Sequence, residues 1–185
     1  MITIADYAKN GTVTQPMVTV AEAEDVDPGD LCSWIAEGSA VIMKRGDRLT
    51  GIGRGLSTKI NVNLGTSTGK ACAEDEVKKA LIAERFGAHT ISDLSMGGDI
   101  SAIRRQIFSC TTLPITTVPV YQAVAEHGLK DLTPQIILAA FEQQAEEGIS
   151  SAVIHGVSRS MLALYKRTER ILGMVSKGGS ITSAF

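Results

Sequence analysis

The segment from Lys59 to Ser67, K-I-N-V-N-L-G-T-S, combines hydrogen-bonding side chains with the spacing of a β-strand. Asn61 and Asn63 alternate with apolar residues, so both carboxamides are predicted to point to the same face of the strand. Asparagine is a poor strand former, and a buried amide without a partner costs roughly 1–3 kcal/mol. The pair therefore indicates a polar network or a bound ligand. The alternative is an edge strand with a polar face in solvent.

Two glycine-rich segments resemble nucleotide-binding loops but have the wrong spacing. The segment G-I-G-R-G is followed by Leu56, where the dinucleotide-binding pattern needs a further glycine. In G-T-S-T-G-K the glycines are too close for a P-loop, and Ala71 stands where a magnesium-binding hydroxyl is needed. The segment Ser176–Ser180, S-K-G-G-S, is better suited to an anion, because it offers backbone amides, a cation and two hydroxyls. A loop without a ligand is the alternative.

His155 follows another apolar, strand-like run and is either a hydrogen-bonded core residue or a ligand-binding group. No role is predicted for His89 or His127. No pair of histidines has the spacing of metal ligands, and no nucleophile stands beside a recognisable base. The sequence therefore predicts no metal site and leaves the catalytic residues unknown.

Composition limits the class of protein. The 185 residues are 44% hydrophobic and 21% charged, which is typical of one globular domain. A net charge of −2 favours neither nucleic acid nor an anionic membrane as a partner. No apolar run approaches the ~20 residues that span a bilayer, and no secretory signal is recognised, so the cytoplasm is expected. Cys32, Cys72 and Cys110 are too scattered to predict a disulfide framework or a metal knuckle.

The secondary-structure pattern predicts an α/β fold. Residues 1–50 are expected to form an N-terminal extension with a short helix between Asp25 and Gly38 and a strand at Val41–Lys44. Residues 51–185 alternate strands with helices, which indicates parallel β/α units, in either a barrel or an open sheet. The predicted strands are Ile60–Leu64, Thr90–Leu94, Ile115–Val120, Ala152–His155 and Ile171–Val175. The predicted helices are Ala73–Phe86, Asp99–Phe108, Thr133–Glu147 and Ser158–Glu169. Ligands of such folds bind at the carboxyl ends of the strands, where polar, aromatic or glycine residues recur here.

In order along the chain, five segments resemble the phosphomethylpyrimidine synthase family, radical S-adenosylmethionine enzymes of thiamine pyrimidine synthesis. They are G-I-G-R-G-L-S-T-K-I-N-V-N-L-G-T-S, G-A-H-T-I-S-D-L-S-M-G-G-D-I, T-V-P-V-Y-Q-A, G-I-S-S-A-V-I-H-G and G-M-V-S-K-G-G-S. The segment V-A-E-A-E-D-V-D-P near the N-terminus is also similar to that family. The resemblance covers most of the chain from Val20 onward.

The resemblance implies a (β/α)8 barrel that binds aminoimidazole ribonucleotide and rearranges it to hydroxymethylpyrimidine phosphate. It assigns the substrate contacts by motif. An amide, a phenol and an imidazole would hydrogen-bond to the polar edges of the ribonucleotide, and a glycine segment would bind its phosphate. The residues are Asn63, Tyr121, His155, Ser176, Lys177 and Gly178. Family members usually have methionine at the position of Ser92 and arginine at that of Lys177. Lysine keeps the charge but lacks the planar fork that binds phosphate through two hydrogen bonds.

The family also uses a 4Fe-4S cluster held by Cys-x2-Cys-x4-Cys, and a zinc ion, both bound beyond the part that this sequence resembles. No cofactor is therefore expected to bind to this chain alone, and the isolated chain is expected to be inactive. The predicted fold is an incomplete barrel of about five parallel strands. Since open strand edges are normally paired or covered, self-association or a partner chain that completes the barrel is expected.

Three functions remain open from the sequence. The first is the substrate-binding part of the thiamine enzyme, as a fragment or one half of a split enzyme. The second is a non-catalytic ribonucleotide-binding or regulatory paralogue. The third is another reaction of aminoimidazole ribonucleotide, such as benzimidazole formation. Retention of Asn63, Tyr121 and His155 favours ligand binding, whereas Ser92 and Lys177 favour divergence from the parent chemistry.

Overall fold

The computed structural model describes residues 2–165, 167–169, 171–172 and 176–184. Their helices and strands alternate along most of the chain, which confirms the predicted α/β class. The helices are α1 (Ile4–Lys9), α2 (Gln15–Glu24), α3 (Pro28–Ala36), α4 (Ala73–Arg85), α5 (Ile100–Cys110), α6 (Pro119–His127), α7 (Pro134–Glu146), α8 (Arg159–Tyr165) and α9 (Lys177–Ala184). The strands are β1 (Ala40–Arg45), β2 (Arg48–Gly53), β3 (Asn61–Leu64), β4 (Thr90–Asp93), β5 (Ile115–Thr117) and β6 (Ser151–Ala152). No helix among these is long and apolar enough to cross a membrane.

Residues 2–56 form a small module with its own apolar core, which we call the N-terminal module. Helices α1–α3 pack beside an antiparallel hairpin in which Ala40 of β1 pairs with Gly53 of β2. Met17 and Leu31 are completely buried in this core. Sequence reasoning anticipated α3 and β1 but not α1, α2 or β2, so this part of the chain is more structured than an extension. The predicted domain division at residue 50 stays a prediction, and β2 runs across that position.

The β/α region contains a parallel sheet in the order β3-β4-β5-β6. Apolar residues of β3, β4 and β5 face α4 and α5, where Ile91, Ile107 and Ile115 are completely buried. In the described part of the chain this sheet does not close into a barrel. Of the predicted fifth strand, Ile171 and Leu172 form a bend, and the remainder lies outside the described residues.

Several predicted element boundaries differ from those of the structure. The strand predicted for Ile115–Val120 ends at Thr117, because Pro119 fixes the backbone of the first turn of α6, a helix that the pattern did not reveal. The strand predicted for Ala152–His155 is β6, which starts one residue earlier and has only two residues. The helix predicted for Ser158–Glu169 extends as α8 from Arg159 to Tyr165.

The N-terminal signals of two helices are confirmed. Thr133 accepts a hydrogen bond at 3.2 Å from the amide of Ile136, and Pro134 is the first residue of α7. Three acidic residues occupy the first turn of α4, as predicted, but one of them has a different role. The side chain of Glu76 is buried and accepts a hydrogen bond at 2.7 Å from the amide of Gly65, so it holds the loop after β3.

Arg45 joins the N-terminal module to the β/α region. Its guanidinium donates hydrogen bonds to the carbonyl oxygens of Thr111 at 2.5 Å, Leu113 at 3.0 Å and Phe108 at 2.5 Å. Phe108 lies in the last turn of α5 and Thr111 is its C-cap, where helix geometry leaves carbonyls without backbone partners, and Leu113 lies in the segment before β5. A side chain of the hairpin thereby supplies hydrogen-bond donors to the C-terminal end of α5 in the β/α region.

Candidate ligand-binding site

Four of the six predicted site residues meet beyond the carboxyl ends of β5 and β6. Tyr121 lies in the first turn of α6, and its ring stacks on that of His155 with the centroids 6.0 Å apart and the planes at 18°. The ammonium group of Lys177 lies 5.4 Å from the centroid of the Tyr121 ring. The structure therefore brings together a phenol, an imidazole and a cation that are far apart in the sequence.

Gly178 is the fourth member of this group, and any larger residue at its position would have to displace the His155 ring. A Cβ built there would lie 2.1 Å from the Cδ2 and Nε2 atoms of His155. Ser176 precedes the same helix, and its hydroxyl accepts a hydrogen bond at 3.1 Å from the amide of Gly179. The segment predicted as a glycine turn is thus the start of α9, with Ser176 as its cap.

Asn63 does not lie with this group. It is exposed on β3, at the opposite edge of the sheet from β6, and lines a cavity with Lys79 and Phe86, whereas His155 lines a different cavity. The predicted alternation of β3 is confirmed, because Val62 and Leu64 face the core while both asparagines face away. The Oδ1 atom of Asn63 accepts a hydrogen bond at 2.9 Å from Nδ2 of Asn61. Its own amide nitrogen donates to none of the described residues.

A row of polar side chains crosses the sheet on the face opposite the apolar core. Strand register aligns Asn63 with Ser92, Ser92 with Thr116, and Thr116 with Ser151. The Ser92 hydroxyl donates to Oδ1 of Asn61 at 3.1 Å, and the hydroxyls of Thr116 and Ser151 are 2.6 Å apart. We call these four residues the polar row. Ser92 is therefore part of a hydrogen-bonded layer and not an apolar wall.

A buried polar network, which the sequence reasoning missed, lies directly behind the site. Arg104 of α5 is 2% exposed and donates to Oε1 of Gln122 at 2.7 Å and to Oε2 of Glu147. Gln144 donates to the same Gln122 oxygen at 2.7 Å and accepts a hydrogen bond from Thr117 at 2.6 Å. A signal was present, because Arg104 follows Ile103 on the apolar stripe of α5, where an arginine needs buried partners.

Asp93, the last residue of β4, is the second carboxylate of this network beside that of Glu147. Its Oδ2 atom lies 3.5 Å from Nε of Arg104, and neither atom has a hydrogen-bond partner among the described residues. Its Oδ1 atom accepts hydrogen bonds from the amide of Ser95 at 3.0 Å and from its hydroxyl at 2.5 Å. Burial raises the pKa of Asp93, and the Ser95 bonds and the Arg104 charge offset part of that effect.

An apolar cavity of about 320 Å³ adjoins His155 between α6, α7 and α9. Its wall includes Val120, Phe141 and Ile154, and the Ile154 side chain is 81% exposed. The His155 imidazole thus lies between the Tyr121 ring with its neighbouring Lys177 ammonium group on one side and the apolar cavity on the other. Such an arrangement can bind a flat polar ring by stacking and an anion through Lys177 and the N-terminus of α9.

The cysteines do not fit an iron–sulfur cluster. Cys32 lies in the core of the N-terminal module, where its thiol contacts the carbonyl oxygen of Ala8 at 3.8 Å. Cys72 precedes α4, and Cys110 ends α5 with its thiol 3.2 Å from the carbonyl oxygen of Ile107. Within the described ranges, no group of three or more histidine, cysteine, aspartate or glutamate residues is placed to hold a metal ion.

The parallel sheet with flanking helices, and polar and aromatic groups beyond the carboxyl ends of its strands, place this chain among β/α proteins. The chain belongs to the radical SAM ThiC family, whose sequence model matches residues 3–185. The resemblance that the five segments indicated is therefore confirmed.

Curated relatives of this chain are named phosphomethylpyrimidine synthases. The chain is 40% identical to phosphomethylpyrimidine synthase 2 of Methanosarcina barkeri over 189 residues, which cover 100% of this chain and 44% of the relative. It is 40% identical over 193 residues to the enzyme of Methanocaldococcus jannaschii, covering 100% and 45%. For the enzyme of Thermus thermophilus the identity is 37% over 194 residues, with coverages of 100% and 45%. The chain thus spans less than half the length of these relatives.

Proposed function

We propose that this chain is the substrate-binding part of an enzyme of thiamine pyrimidine synthesis and that it binds aminoimidazole ribonucleotide. The proposed contacts are Asn63, Tyr121, His155, Ser176, Lys177 and Gly178. The observation that carries the proposal is the cluster of Tyr121, His155 and Lys177 around Gly178, because these groups come from three separate elements and converge on one place.

Each group suits one part of the ligand. The flat imidazole ring of the ribonucleotide can stack on the paired rings of Tyr121 and His155. Lys177 and the amides at the start of α9 suit the phosphate. The free amide nitrogen of Asn63 suits a hydrogen-bond acceptor, which requires the ligand to reach across the polar row from the α9 side of the sheet.

Radical chemistry would need further protein. S-adenosylmethionine cleavage requires a cluster that supplies an electron, and the cysteines described above are not arranged to hold one. We therefore propose that the reaction takes place only when the remaining part of the barrel is supplied by further polypeptide or by a partner chain. In that assembly this chain would recognise the substrate.

A non-catalytic ribonucleotide-binding role is the second candidate. The hydrogen bonds of Ser92 favour it, because they place a polar layer where the family usually has a methionine. Both candidates require binding of the same ligand, and they differ in whether the completed assembly forms product.

Isothermal titration of the chain with aminoimidazole ribonucleotide tests the proposal. We expect binding by the unmutated chain and a loss of affinity of at least about tenfold for His155→Ala and for Gly178→Ala. The matched control is His127→Ala, which removes an exposed imidazole at the end of α6 and should bind like the unmutated chain. Absence of binding by the unmutated chain, or equal losses for His127→Ala and His155→Ala, would contradict the proposal.

A further inference from the structure

We infer that Arg104 and Gln122 are positioning residues that fix the Tyr121 ring against His155. This inference rests on the proposed function only for its consequence in ligand binding. The orientation of the two rings is a property of the free protein and can be tested separately.

The direction of the hydrogen bonds in the network follows from chemistry. A guanidinium has only donors, so the Gln122 atom that faces Arg104 must be the carbonyl oxygen Oε1. The nitrogen of Gln144 donates to the same oxygen, which leaves the carbonyl oxygen of Gln144 to accept from the Thr117 hydroxyl. The arginine thereby sets the orientation of both glutamine amides, without the ambiguity that such amides usually have.

The network holds α6 from several sides at once. Gln122 accepts from Arg104 of α5 and from Gln144 of α7, and its nitrogen donates to Gln143 of α7 at 3.2 Å and to Glu126, one turn further along α6, at 2.9 Å. The Gln122 side chain is 1% exposed. Rotation of α6 about its axis would break several buried hydrogen bonds together, and each broken bond leaves an unsatisfied polar atom.

Tyr121 precedes Gln122, so the two side chains leave the helix about 100° apart. While Gln122 points towards α5 and α7, Tyr121 belongs to an apolar cluster that includes Ile181 of α9, and its ring stacks on His155. No described residue hydrogen-bonds the Tyr121 hydroxyl. The direction of its ring therefore depends on the rotation of α6, which the network sets.

Asp93 connects the same network to the segment after β4, which packs against the apolar cluster that contains Tyr121. Its carboxylate faces Arg104 and also holds the amide and hydroxyl of Ser95. Leu94 and Met96, on either side of Ser95, pack against the apolar cluster that contains Tyr121. One buried arginine thus fixes two of the segments that surround the ring.

The test compares Arg104→Lys and Gln122→Met with a control, Ile107→Ala. Lysine keeps the charge but carries all its donors on one nitrogen, whereas Arg104 directs three separate nitrogens towards Asp93, Gln122 and Glu147. Methionine has a similar volume to glutamine but cannot accept from Arg104. Ile107 is completely buried in the apolar core one turn after Arg104 and cannot hydrogen-bond to the network, so truncation of its side chain destabilises the same helix by another route.

The first readout is the NMR signal of the His155 ring protons in the free protein, assigned by comparison with His155→Gln. We expect both network variants to lose the ring-current shift that the stacked tyrosine causes, and Ile107→Ala to keep it. The second readout is affinity for aminoimidazole ribonucleotide, which should fall at least about tenfold in the network variants and less than about twofold in the control.

Unchanged His155 signals in folded Gln122→Met, or equal changes in Ile107→Ala, would overturn the inference. If Arg104→Lys does not fold, Gln122→Met decides alone, because it leaves Arg104 paired with Asp93 and Glu147. Absence of ligand binding by the unmutated chain would contradict the proposed function while the His155 signals still test the positioning. Normal binding with unchanged signals would contradict the positioning alone.

Discussion

The N-terminal module and the β/α region bury different kinds of side chains. The core of the module consists of apolar residues, among them Met17, Leu31 and Ile35, and its helices are capped by nearby side chains such as that of Asp27. The β/α region has an apolar core between sheet and helices, but it also buries charges and amides, with Arg104, Gln122 and Gln144 all at 2% exposure or less.

This difference indicates a division of roles. A purely apolar core stabilises a fold without specifying the direction of any one polar group, whereas a satisfied polar network fixes the rotation of each helix that contributes to it. The network lies behind the cluster of Tyr121 and His155, and no comparable network of buried side chains occurs among the described residues of the module. The module is thus suited to stability, and the β/α region to placing functional groups.

The largest expected effect comes from a substitution in the apolar core of the N-terminal module. Leu31→Ala should lower the free energy of unfolding by about 2–5 kcal/mol, because it leaves a cavity in a completely buried position. In the protein that remains folded, the NMR signals of the His155 ring should not change. Urea unfolding followed by the fluorescence of Trp34, the only tryptophan of the chain, measures the loss of stability. A changed His155 signal would show that the module also places functional groups.

The second prediction tests how strongly the two regions are coupled. Arg45→Met should lower the free energy of unfolding by about 1.5–3 kcal/mol, since it removes charge-assisted hydrogen bonds to three carbonyl oxygens at the end of α5 and in the segment that follows it. Unfolding followed by Trp34 fluorescence should then separate from unfolding followed by the His155 signals. Arg48→Met is the matched control, because Arg48 is exposed on the same hairpin. Coincident transitions in Arg45→Met would show that the regions are coupled through other contacts.

The smallest effect concerns an ion pair at the boundary of the two regions. Glu24 of α2 accepts from Lys59 at 2.8 Å and from the amide of Ser57 at 2.8 Å. Burial raises the pKa of Glu24, but the hydrogen bonds from Lys59 and Ser57 outweigh it and lower the pKa below its usual value of 4.5. A lowered carboxyl pKa stabilises the fold above pH 4.5, and this contribution disappears as the pH falls through the folded-state pKa.

Glu24→Gln should therefore cost about 1 kcal/mol at neutral pH, and the difference from the unmutated chain should shrink as the solution is acidified below pH 4.5. Urea unfolding at a series of pH values measures this difference. Glu22→Gln, an exposed position on the same helix, serves as the control. A difference that stays constant down to the lowest pH would contradict the assigned ion pair.

The sequence predicted the β/α region better than the module. The alternation around Val62 and Leu64 identified β3, and Thr133 with Pro134 located the start of α7, because these are local signals of period and capping. Helix α6 was missed, since Thr117–Ala123 continues an apolar run from β5 and a short apolar run does not distinguish strand from helix. Pro119 in that run was the signal that could have indicated the start of a helix.

The candidate site was also predicted only in part, because a motif identifies residues but not the contacts between distant segments. Motifs identified Tyr121, His155, Lys177 and Gly178, which the structure brings together, and also Asn63, which it places on the outer strand away from them. Their binding roles stay predictions. The buried network was not predicted, because hydrogen bonds such as that between Arg104 and Gln122 join positions with no local relation in sequence.

By itself, the sequence determined the class of fold, the family and the chemical types of the groups at the strand ends, because residue type, period and motif are local properties. Only the tertiary structure decided that Tyr121 faces His155, that Gly178 leaves room for that imidazole, and that Arg104 orients two glutamines. The physical reason is that the direction of a side chain depends on how its helix is rotated. That rotation is set by contacts between segments that are distant along the chain.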